Sequence, residues 1–157
     1  MISIVISSVI LLLTIVYSIF ATYKNNKEFP ESLSETSYIL KPWIFVVFCD
    51  IIGILLMIPL MNITEEKYQF IPFIACVGFL FAGNSPLYRK SLSKEVHYAF
   101  AILSFISFLV YIIIYDWKCI IPYLIVIVLT WIYKRKSIVF IAEIAAIFSL
   151  IMLILGS

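Results

Sequence analysis

Long apolar runs dominate the pattern of hydrophobic and polar positions along the chain. Six stretches rich in Ile, Leu, Val and Phe are separated by short polar segments; they are Ile2–Thr22, Pro42–Met61, Phe70–Leu87, Val96–Tyr115, Cys119–Tyr133 and Ile138–Leu155. Because about 20 residues of α-helix cross the apolar core of a bilayer, runs of this length predict transmembrane helices. We therefore predict an all-α fold, a transmembrane helical bundle of six spans that forms one domain over residues 1–157.

Two of the six runs depart from the usual length or position of a membrane span. The fifth covers only residues 119–133, which favours an upright helix or a locally thinned bilayer and makes it the weakest of the six predictions. The first lies at the amino terminus, where a signal peptide would be, but no basic residue precedes it and it exceeds a typical signal-peptide core. We expect it to be a retained helix.

Composition supports the membrane assignment and excludes several classes of protein. The chain is 64% hydrophobic and 13% charged, with a mean hydropathy of +1.15, whereas soluble domains are about 25% charged. Six spans of about 20 residues would use most of the 157 residues and leave no room for a soluble domain. These values exclude a soluble enzyme and a nucleic-acid-binding protein, and they make the lipid bilayer the expected partner.

The distribution of Lys and Arg predicts the orientation of the spans. The loops after the first, third and fifth runs hold nine of the eleven basic residues. These nine are Lys24, Lys27, Lys41, Arg89, Lys90, Lys94, Lys134, Arg135 and Lys136. Since short loops rich in Lys and Arg stay on the cytoplasmic side, we expect these loops to be cytoplasmic and both termini to lie outside.

Two charged residues fall inside the predicted spans, where lipid disfavours them. Asp50 is the ninth residue of the second run, about 13 Å from its cytoplasmic end, and Glu143 is about 9 Å into the sixth. An ionisable side chain at such depth costs about 2.5 to 3.5 kcal/mol on insertion scales, so it often has an inward-facing functional role. Both carboxylates fall in the cytoplasmic half, and they are our first candidates for a ligand or ion site.

Three further polar residues are predicted at the same side of the membrane. His97 opens the fourth run, Asn84 closes the third, and Glu35 precedes the second. We add them to Asp50 and Glu143 as ligand-binding or ion-binding candidates. Each has a structural alternative: the carboxylates can serve as hydrogen-bonding groups between helices, and the histidine can be a boundary residue.

The segment before the second run also has a structural interpretation of its own. Ser32 and Glu35 fit the S-x-x-E pattern, in which a serine hydroxyl and a glutamate cap the first turn of a helix. Pro42 then either begins the second span or kinks it. The pattern predicts a short helical turn at the interface, followed by the span.

The sequence contains no recognisable motif for binding a cofactor or a metal ion. The three cysteines are scattered and do not form a zinc motif, and the four glycines form no phosphate-binding loop. We therefore expect no cofactor. No residue is assigned with confidence as a metal ligand, although Asp50, Glu143 and His97 form a thin candidate set.

Three functions remain open at this stage. The first, which we favour, is a non-enzymatic bundle that binds or transports a small molecule, ion or lipid, or serves as an accessory subunit. The second is a metal-dependent intramembrane lipid hydrolase with His97, Asp50 and Glu143 as ligands, although a single histidine departs from the several histidines of alkaline-ceramidase-like enzymes. The third is an oligomeric pore, although none of the six runs carries a polar stripe along its full length.

Several short motifs give the chain a weak resemblance to known membrane proteins. They are Ser34-Glu35-Thr36-Ser37-Tyr38, Trp43, Gly83-Asn84-Ser85-Pro86-Leu87-Tyr88 and Val96-His97-Tyr98. This order resembles small bacterial and phage-borne membrane proteins whose layout is similar to that of the DRAM/Sfk-type six-helix family. The resemblance covers residues 32–107 and implies a six-helix membrane protein of mostly unassigned activity, in which Glu35, Asn84 and His97 cluster on the cytoplasmic side. We expect it to lie in a bacterial cytoplasmic membrane. The resemblance implies no catalytic mechanism. Because the chain has little loop, we expect any partner, a second copy or another membrane protein, to pack along the helix faces.

Overall fold

The chain forms a bundle of α-helices in a computed structural model that describes residues 2–85, 94–133 and 135–157. The helices are α1 (Ile2–Lys24), α2 (Thr36–Ile39), α3 (Pro42–Ile63), α4 (Phe70–Gly83), α5 (Lys94–Asp116), α6 (Ile120–Tyr133) and α7 (Ile138–Gly156). Short 3₁₀ turns precede α4, α6 and α7, at Glu66–Tyr68, Trp117–Cys119 and Arg135–Ser137. The described ranges contain no β-strand, so the prediction of an all-α fold is confirmed.

Each of the six apolar runs contains one long helix whose bounds lie close to those predicted. Pro42 occupies the first turn of α3 and begins that helix rather than kinking it, because its missing N–H has no intrahelical acceptor there. The third run was predicted to extend to Leu87, but α4 ends at Gly83. Several residues of these predictions lie outside the described residues. They are Pro86 and Leu87 of the third run, Tyr88, Arg89 and Lys90 of the loop after it, and Lys134 of the loop after the fifth run.

Four helical stretches are long and apolar enough to cross a membrane, judged by length and composition. They are Ile2–Lys24, Pro42–Ile63, Lys94–Tyr133 and Ile138–Gly156. The third stretch has 40 residues and comprises α5, a 3₁₀ turn and α6. The helix α4, with 14 residues, is about 21 Å long and so shorter than the apolar core of a bilayer. Length alone therefore supports four spans among the described residues.

The 40-residue stretch folds back on itself at the turn between α5 and α6. Asp116 has an extended backbone, and its carboxylate accepts a hydrogen bond from the backbone N–H of Lys118. The rings of Phe105 in α5 and Tyr123 in α6 have centroids only 6.4 Å apart. Eighteen residues of straight helix would separate them by about 27 Å, so α5 and α6 run in opposite directions side by side.

Small residues let α3, α4 and α5 approach closely. A Cβ atom at Gly83 would collide with the Cβ of Cys49 on α3, and one at Gly78 would lie 3.1 Å from the backbone N and Cβ of Ser104 on α5. The hydroxyl of Ser104 donates to the carbonyl of Ala75, at 2.7 Å. Such contacts of small and hydroxyl-bearing residues are typical of helix pairs in membranes, where backbones pack closely.

The segment of residues 25–41, which we call the α1–α3 loop, packs against the bundle. Leu33 and Leu40 are buried in the hydrophobic core. The Tyr17 hydroxyl of α1 hydrogen-bonds the Thr36 hydroxyl of the loop, and the Tyr17 ring stacks on Phe48 of α3 with centroids 3.8 Å apart. The loop is thus a structural element of the bundle, and its position determines the site described below.

The helix ends meet at two opposite ends of the bundle. The end where α1 stops and α3, α5 and α7 begin is called the basic end, since Lys24, Lys41 and Lys94 lie there. At the opposite end, the hydroxyls of Thr64 and Tyr111 are 2.7 Å apart and join α3 to α5. Successive long helices therefore alternate in direction.

The outward faces of the helices are apolar. Exposed side chains include Leu12, Ile19, Ile54, Ile102 and Leu124, each with about half or more of its surface accessible. A soluble protein rarely exposes contiguous apolar surface of this extent, whereas lipid chains solvate it readily. The faces that point away from the core therefore suit a lipid environment.

Candidate functional site

His97 lies at the centre of a hydrogen-bonded group at the basic end. Its side chain is 1% exposed, with Nδ1 at 2.9 Å from the carbonyl oxygen of Ala82 and Nε2 at 2.9 Å from Oγ of Ser34. Because a carbonyl oxygen only accepts, Nδ1–H donates to Ala82, and in the neutral ring Nε2 accepts from the Ser34 hydroxyl. These contacts assign the Nδ1–H tautomer to the neutral ring, and together with a backbone contact of Ser85 they hold its orientation.

Ser34 reaches His97 because the α1–α3 loop forms a series of tight turns. The Ser32 Oγ accepts a hydrogen bond from the backbone N–H of Glu35 at 3.1 Å, which is the serine bond of the predicted pattern. This bond closes the turn before α2 rather than capping the helix, because α2 has Glu35 at its N-cap and no side-chain capping bond. The hydroxyl of Ser37 donates to the carbonyl of Ser34 at 2.8 Å. Glu35 itself is half-buried in the turn before α2, and the predicted helical turn before the second span is present.

Glu143 fastens the α1–α3 loop to α7. Its Oε2 accepts a hydrogen bond from the backbone N–H of Leu33 at 2.6 Å, across 110 residues of sequence. Two further hydrogen bonds hold the same loop at the start of α7. The backbone N–H of Phe140 donates to the carbonyl of Glu31, and the hydroxyl of Ser137 donates to the carbonyl of Phe29. Glu143, which the sequence analysis predicted inside the sixth span, therefore bonds the backbone of the residue that precedes Ser34.

Asp50 makes a different contact, with the end of α4. Its Oδ1 accepts from Nδ2 of Asn84 at 2.7 Å, and the same amide donates to the carbonyl of Leu80 at 3.0 Å. Asp50 is half-buried and Asn84 is exposed. This pair joins the middle of α3 to the carboxyl end of α4, the helix whose Ala82 carbonyl orients His97.

The structure brings some of the predicted site residues together and separates others. Glu143 and His97 line one cavity at the basic end, whereas Asp50, Asn84 and Glu35 do not line it. The described residues show no hydrogen bond between Asp50 and Glu143, and each bonds a different segment. His97 and Glu143 thus both contact the α1–α3 loop, through Ser34 and Leu33, Asp50 and Asn84 bond each other, and Glu35 lies within the loop itself.

The cavity lies between α5, α6 and α7 and has a volume of about 430 Å³. Its polar lining includes Ser34, His97 and Glu143, near the starts of α5 and α7. The rest of its wall is mostly apolar and includes Ile102, Phe105, Tyr123, Ile127, Val139 and Ala142. A smaller cavity of about 50 Å³ shares Ser34, Phe105 and Glu143 with it. The arrangement is an apolar chamber with hydrogen-bonding groups at one side.

The metal-binding alternative has no support in the geometry of the described residues. Among them, no group of three or more His, Cys, Asp and Glu side chains is placed to hold a metal ion. Both ring nitrogens of His97 already bond protein groups, and Asp50 and Glu143 bond separate partners. The residues present therefore do not fit the metal centre that the hydrolase alternative requires.

Sequence reasoning missed the backbone groups of this site. The carbonyl of Ala82 and the N–H of Leu33 bind His97 and Glu143, but neither residue has a side chain that signals such a role. Tyr123 was not predicted to line a cavity either, because it lies in the short fifth run among apolar residues that give no sign of a site. The S-x-x-E pattern that includes Ser34 was the one local sign that this segment is ordered. It indicated a turn and gave no indication that Ser34 bonds His97.

Comparison with known proteins leaves the function to be argued from this geometry. Searches of protein-family models, of curated proteins and of solved structures find no match to the chain. The resemblance of its short motifs to DRAM/Sfk-type proteins therefore stays a prediction. The contacts at the basic end and the shape of the cavity are the evidence that remains.

Proposed function

We propose that this chain is a multi-pass membrane protein that binds a lipid-like, amphipathic molecule between α5, α6 and α7. One observation carries the proposal: a cavity of about 430 Å³ has mostly apolar walls and presents Ser34, His97 and Glu143 at one side. Its volume falls within the range of about 300–1,000 Å³ that small-molecule sites occupy. An acyl chain fits the apolar walls, and a polar head group finds hydrogen-bonding partners near the basic end.

The exposure of the cavity wall suggests how such a molecule would reach the site. Ile102, Ile106 and Val139 line the cavity, and each keeps 50% or more of its surface accessible. The cavity therefore opens sideways through the apolar face of the helices. In a bilayer this face meets lipid chains, so a lipid can move into the cavity without crossing water.

The membrane arrangement that we propose has six spans with the basic end in the cytoplasm and both termini outside. The alternating directions of the helices support it, since contacts at each end join neighbours with opposite directions. The helices α4 and α6 have 14 residues each, about 21 Å, so the bilayer would thin locally around them. Lys24, Lys41 and Lys94 at the basic end favour a cytoplasmic location.

Filling the cavity tests the proposal directly. Ala142 lines it, and Ala142→Trp would place an indole ring in the space that an acyl chain needs. We expect affinity for a fluorescent acyl-chain phospholipid, titrated into the detergent-solubilised protein, to fall at least about tenfold, which corresponds to about 1.4 kcal/mol.

A matched variant controls for the added bulk. Ala99 is on α5 next to Tyr98, which lines the cavity, but Ala99 is exposed and does not line it, so Ala99→Trp adds the same ring outside it. We expect this variant to bind the phospholipid as the parent protein does. Equal affinities of the parent and both variants would contradict the proposed site.

A further inference from the structure

The hydrogen bond between Ser34 and His97 joins two residues whose side chains form a recurrent pair in enzymes that transfer acyl groups. Ser34 Oγ lies 2.9 Å from Nε2 of His97, across 63 residues of sequence, and both residues line the 430 Å³ cavity. We propose that Ser34 is a nucleophile and His97 its general base, and that together they cleave a carboxylic ester of a lipid bound there. This inference rests on the proposed function, because the cavity must hold the acyl chain.

The ring of His97 is oriented as a general base requires. Its Nδ1–H donates to the carbonyl of Ala82 at 2.9 Å, which leaves the lone pair of Nε2 directed at the Ser34 hydroxyl. In acyl-transfer enzymes a third group commonly holds the histidine in this tautomer and stabilises the imidazolium that forms. A backbone carbonyl supplies that group here.

The position of Ala82 adds electrostatic support. This residue lies in the last turn of α4, which ends at Gly83. The carbonyls at the carboxyl end of a helix carry a partial negative charge and favour a cation within the last turn. A positive charge that appears on His97 during proton transfer is therefore stabilised by the end of α4, without a carboxylate partner.

The serine is held in place by its own segment. The backbone N–H of the preceding residue, Leu33, donates to Glu143 at 2.6 Å, and the Ser37 hydroxyl donates to the carbonyl of Ser34 at 2.8 Å. These bonds fix the turn that carries Ser34 against α7. Pre-organisation of this kind lowers the cost of reaching a reactive geometry. Glu143 thus holds the backbone next to Ser34 against α7.

The reaction that follows uses water as its second reactant. The Ser34 Oγ attacks the ester carbonyl carbon while its proton moves to Nε2 of His97, and the C–O bond to the alcohol breaks as His97 returns that proton to the leaving oxygen. A water molecule then attacks the acyl carbon and gives a proton to Nε2 of His97, the bond between that carbon and Ser34 Oγ breaks, and His97 returns the proton to Oγ. The released carboxylic acid and the regenerated Ser34 hydroxyl complete a balanced hydrolysis.

An alkyl fluorophosphonate tests the nucleophile without knowledge of the natural lipid. This probe forms a covalent bond with an activated serine and loses fluoride, and peptide mass spectrometry locates the adduct. With the full-length protein in mild detergent, we expect the adduct on Ser34. His97→Gln keeps a hydrogen-bonding group but removes the base, and we expect it to slow adduct formation by about 100-fold or more.

Two controls separate chemistry from folding and from lipid binding. Ser8 is exposed and donates only to the carbonyl of Ile4 among its described contacts, so Ser8→Ala should be labelled at Ser34 as the parent is. Ser34→Ala should lose the adduct and the release of fatty acid from 4-methylumbelliferyl oleate, whereas Ser8→Ala should keep both and bind the fluorescent phospholipid as the parent does.

The outcomes distinguish this inference from the function on which it rests. If the parent protein forms no adduct on Ser34 but still binds the phospholipid, Ser34 is not the nucleophile and only the proposed lipid site stands. Equal labelling rates in the parent and in His97→Gln would overturn the role of the base. Loss of labelling and of binding together in the parent would overturn both proposals.

Discussion

At the scale of single residues, polar side chains at the basic end bond partners on other elements. His97 bonds Ala82 and Ser34, Glu143 bonds the backbone N–H of Leu33, and the carboxylate of Asp50 bonds Asn84. In an apolar environment an unpaired polar group costs several kcal/mol, so such partners determine which helix contacts form.

The pair formed by Asp50 and Asn84 can be measured with a double-mutant cycle. Asp50→Leu removes the acceptor of a 2.7 Å bond, Asn84→Leu removes the donor, and the double variant removes both. Hydrogen bonds between membrane helices average about 0.6 kcal/mol and reach about 1.7 kcal/mol in such cycles. We expect a coupling free energy of about 1 kcal/mol from unfolding in detergent micelles.

A conservative variant provides the control for that cycle. Asp50→Asn keeps an oxygen that can accept from Asn84, so its stability should lie between those of the parent and Asp50→Leu. If the two single changes add without coupling, the contact does not contribute to the stability of the bundle.

The residue scale also shows what sequence could and could not reveal about the site. Asp50 and Glu143 stood out because charge is rare within apolar runs, and His97 because the chain has one histidine. Their partners include the backbone of Leu33 and Ala82, and every residue carries such groups. Only the path of the chain selects which of them meet.

At the scale of elements, α4 is the helix that determines the geometry of the site. It packs between α3 and α5, and the absence of side chains at Gly83 and Gly78 permits this close approach. Its last turn then presents Ala82 to His97 and Asn84 to Asp50. A displacement of α4 would therefore move both contact groups at once.

A single added methyl group tests this dependence. In Gly83→Ala the new Cβ would collide with the Cβ of Cys49, so α4 must shift away from α3. Overpacking of this kind costs about 1 to 3 kcal/mol, and we expect a lower midpoint of thermal unfolding in detergent.

Two further variants make the test specific. No atom lies within 4 Å of a Cβ built at Gly156, so Gly156→Ala should unfold at the temperature of the parent. Cys49→Gly removes the Cβ that the new methyl group would meet, so combining it with Gly83→Ala should restore part of the lost stability. A parent-like midpoint for Gly83→Ala alone would show that α3 and α4 do not pack this closely.

At the scale of the whole molecule, the bundle is apolar outside and has polar contacts near both ends, with the Ser104–Ala75 hydrogen bond between them. The basic end holds the α1–α3 loop and the cavity, and the opposite end holds the contact of Thr64 with Tyr111. A bilayer satisfies both features, since lipid covers the outward faces and each end reaches the interface. The proposed orientation then follows from the Lys residues at the basic end.

Thiol accessibility checks that orientation. In a cysteine-free background we expect Ser157→Cys to react with a membrane-impermeant maleimide in intact cells, and Glu28→Cys to react only after the membrane is opened. Both positions are exposed in the structure, at opposite ends of the bundle. The reverse pattern would contradict termini outside, and reaction of both in intact cells would contradict a spanning bundle.

The class of fold, the places of the long helices and the residues that lipid disfavours could all be predicted from the sequence. These follow from local properties, since hydrophobic runs of a given length form helices and set their ends within a few residues. Which polar groups meet depends instead on how the helices pack. Ser34 and His97 are 63 residues apart, and Leu33 and Glu143 are 110 apart, so their contact depends on how α4, α5 and α7 pack around the α1–α3 loop. Packing of that kind is a property of the whole bundle, and no local pattern encodes it.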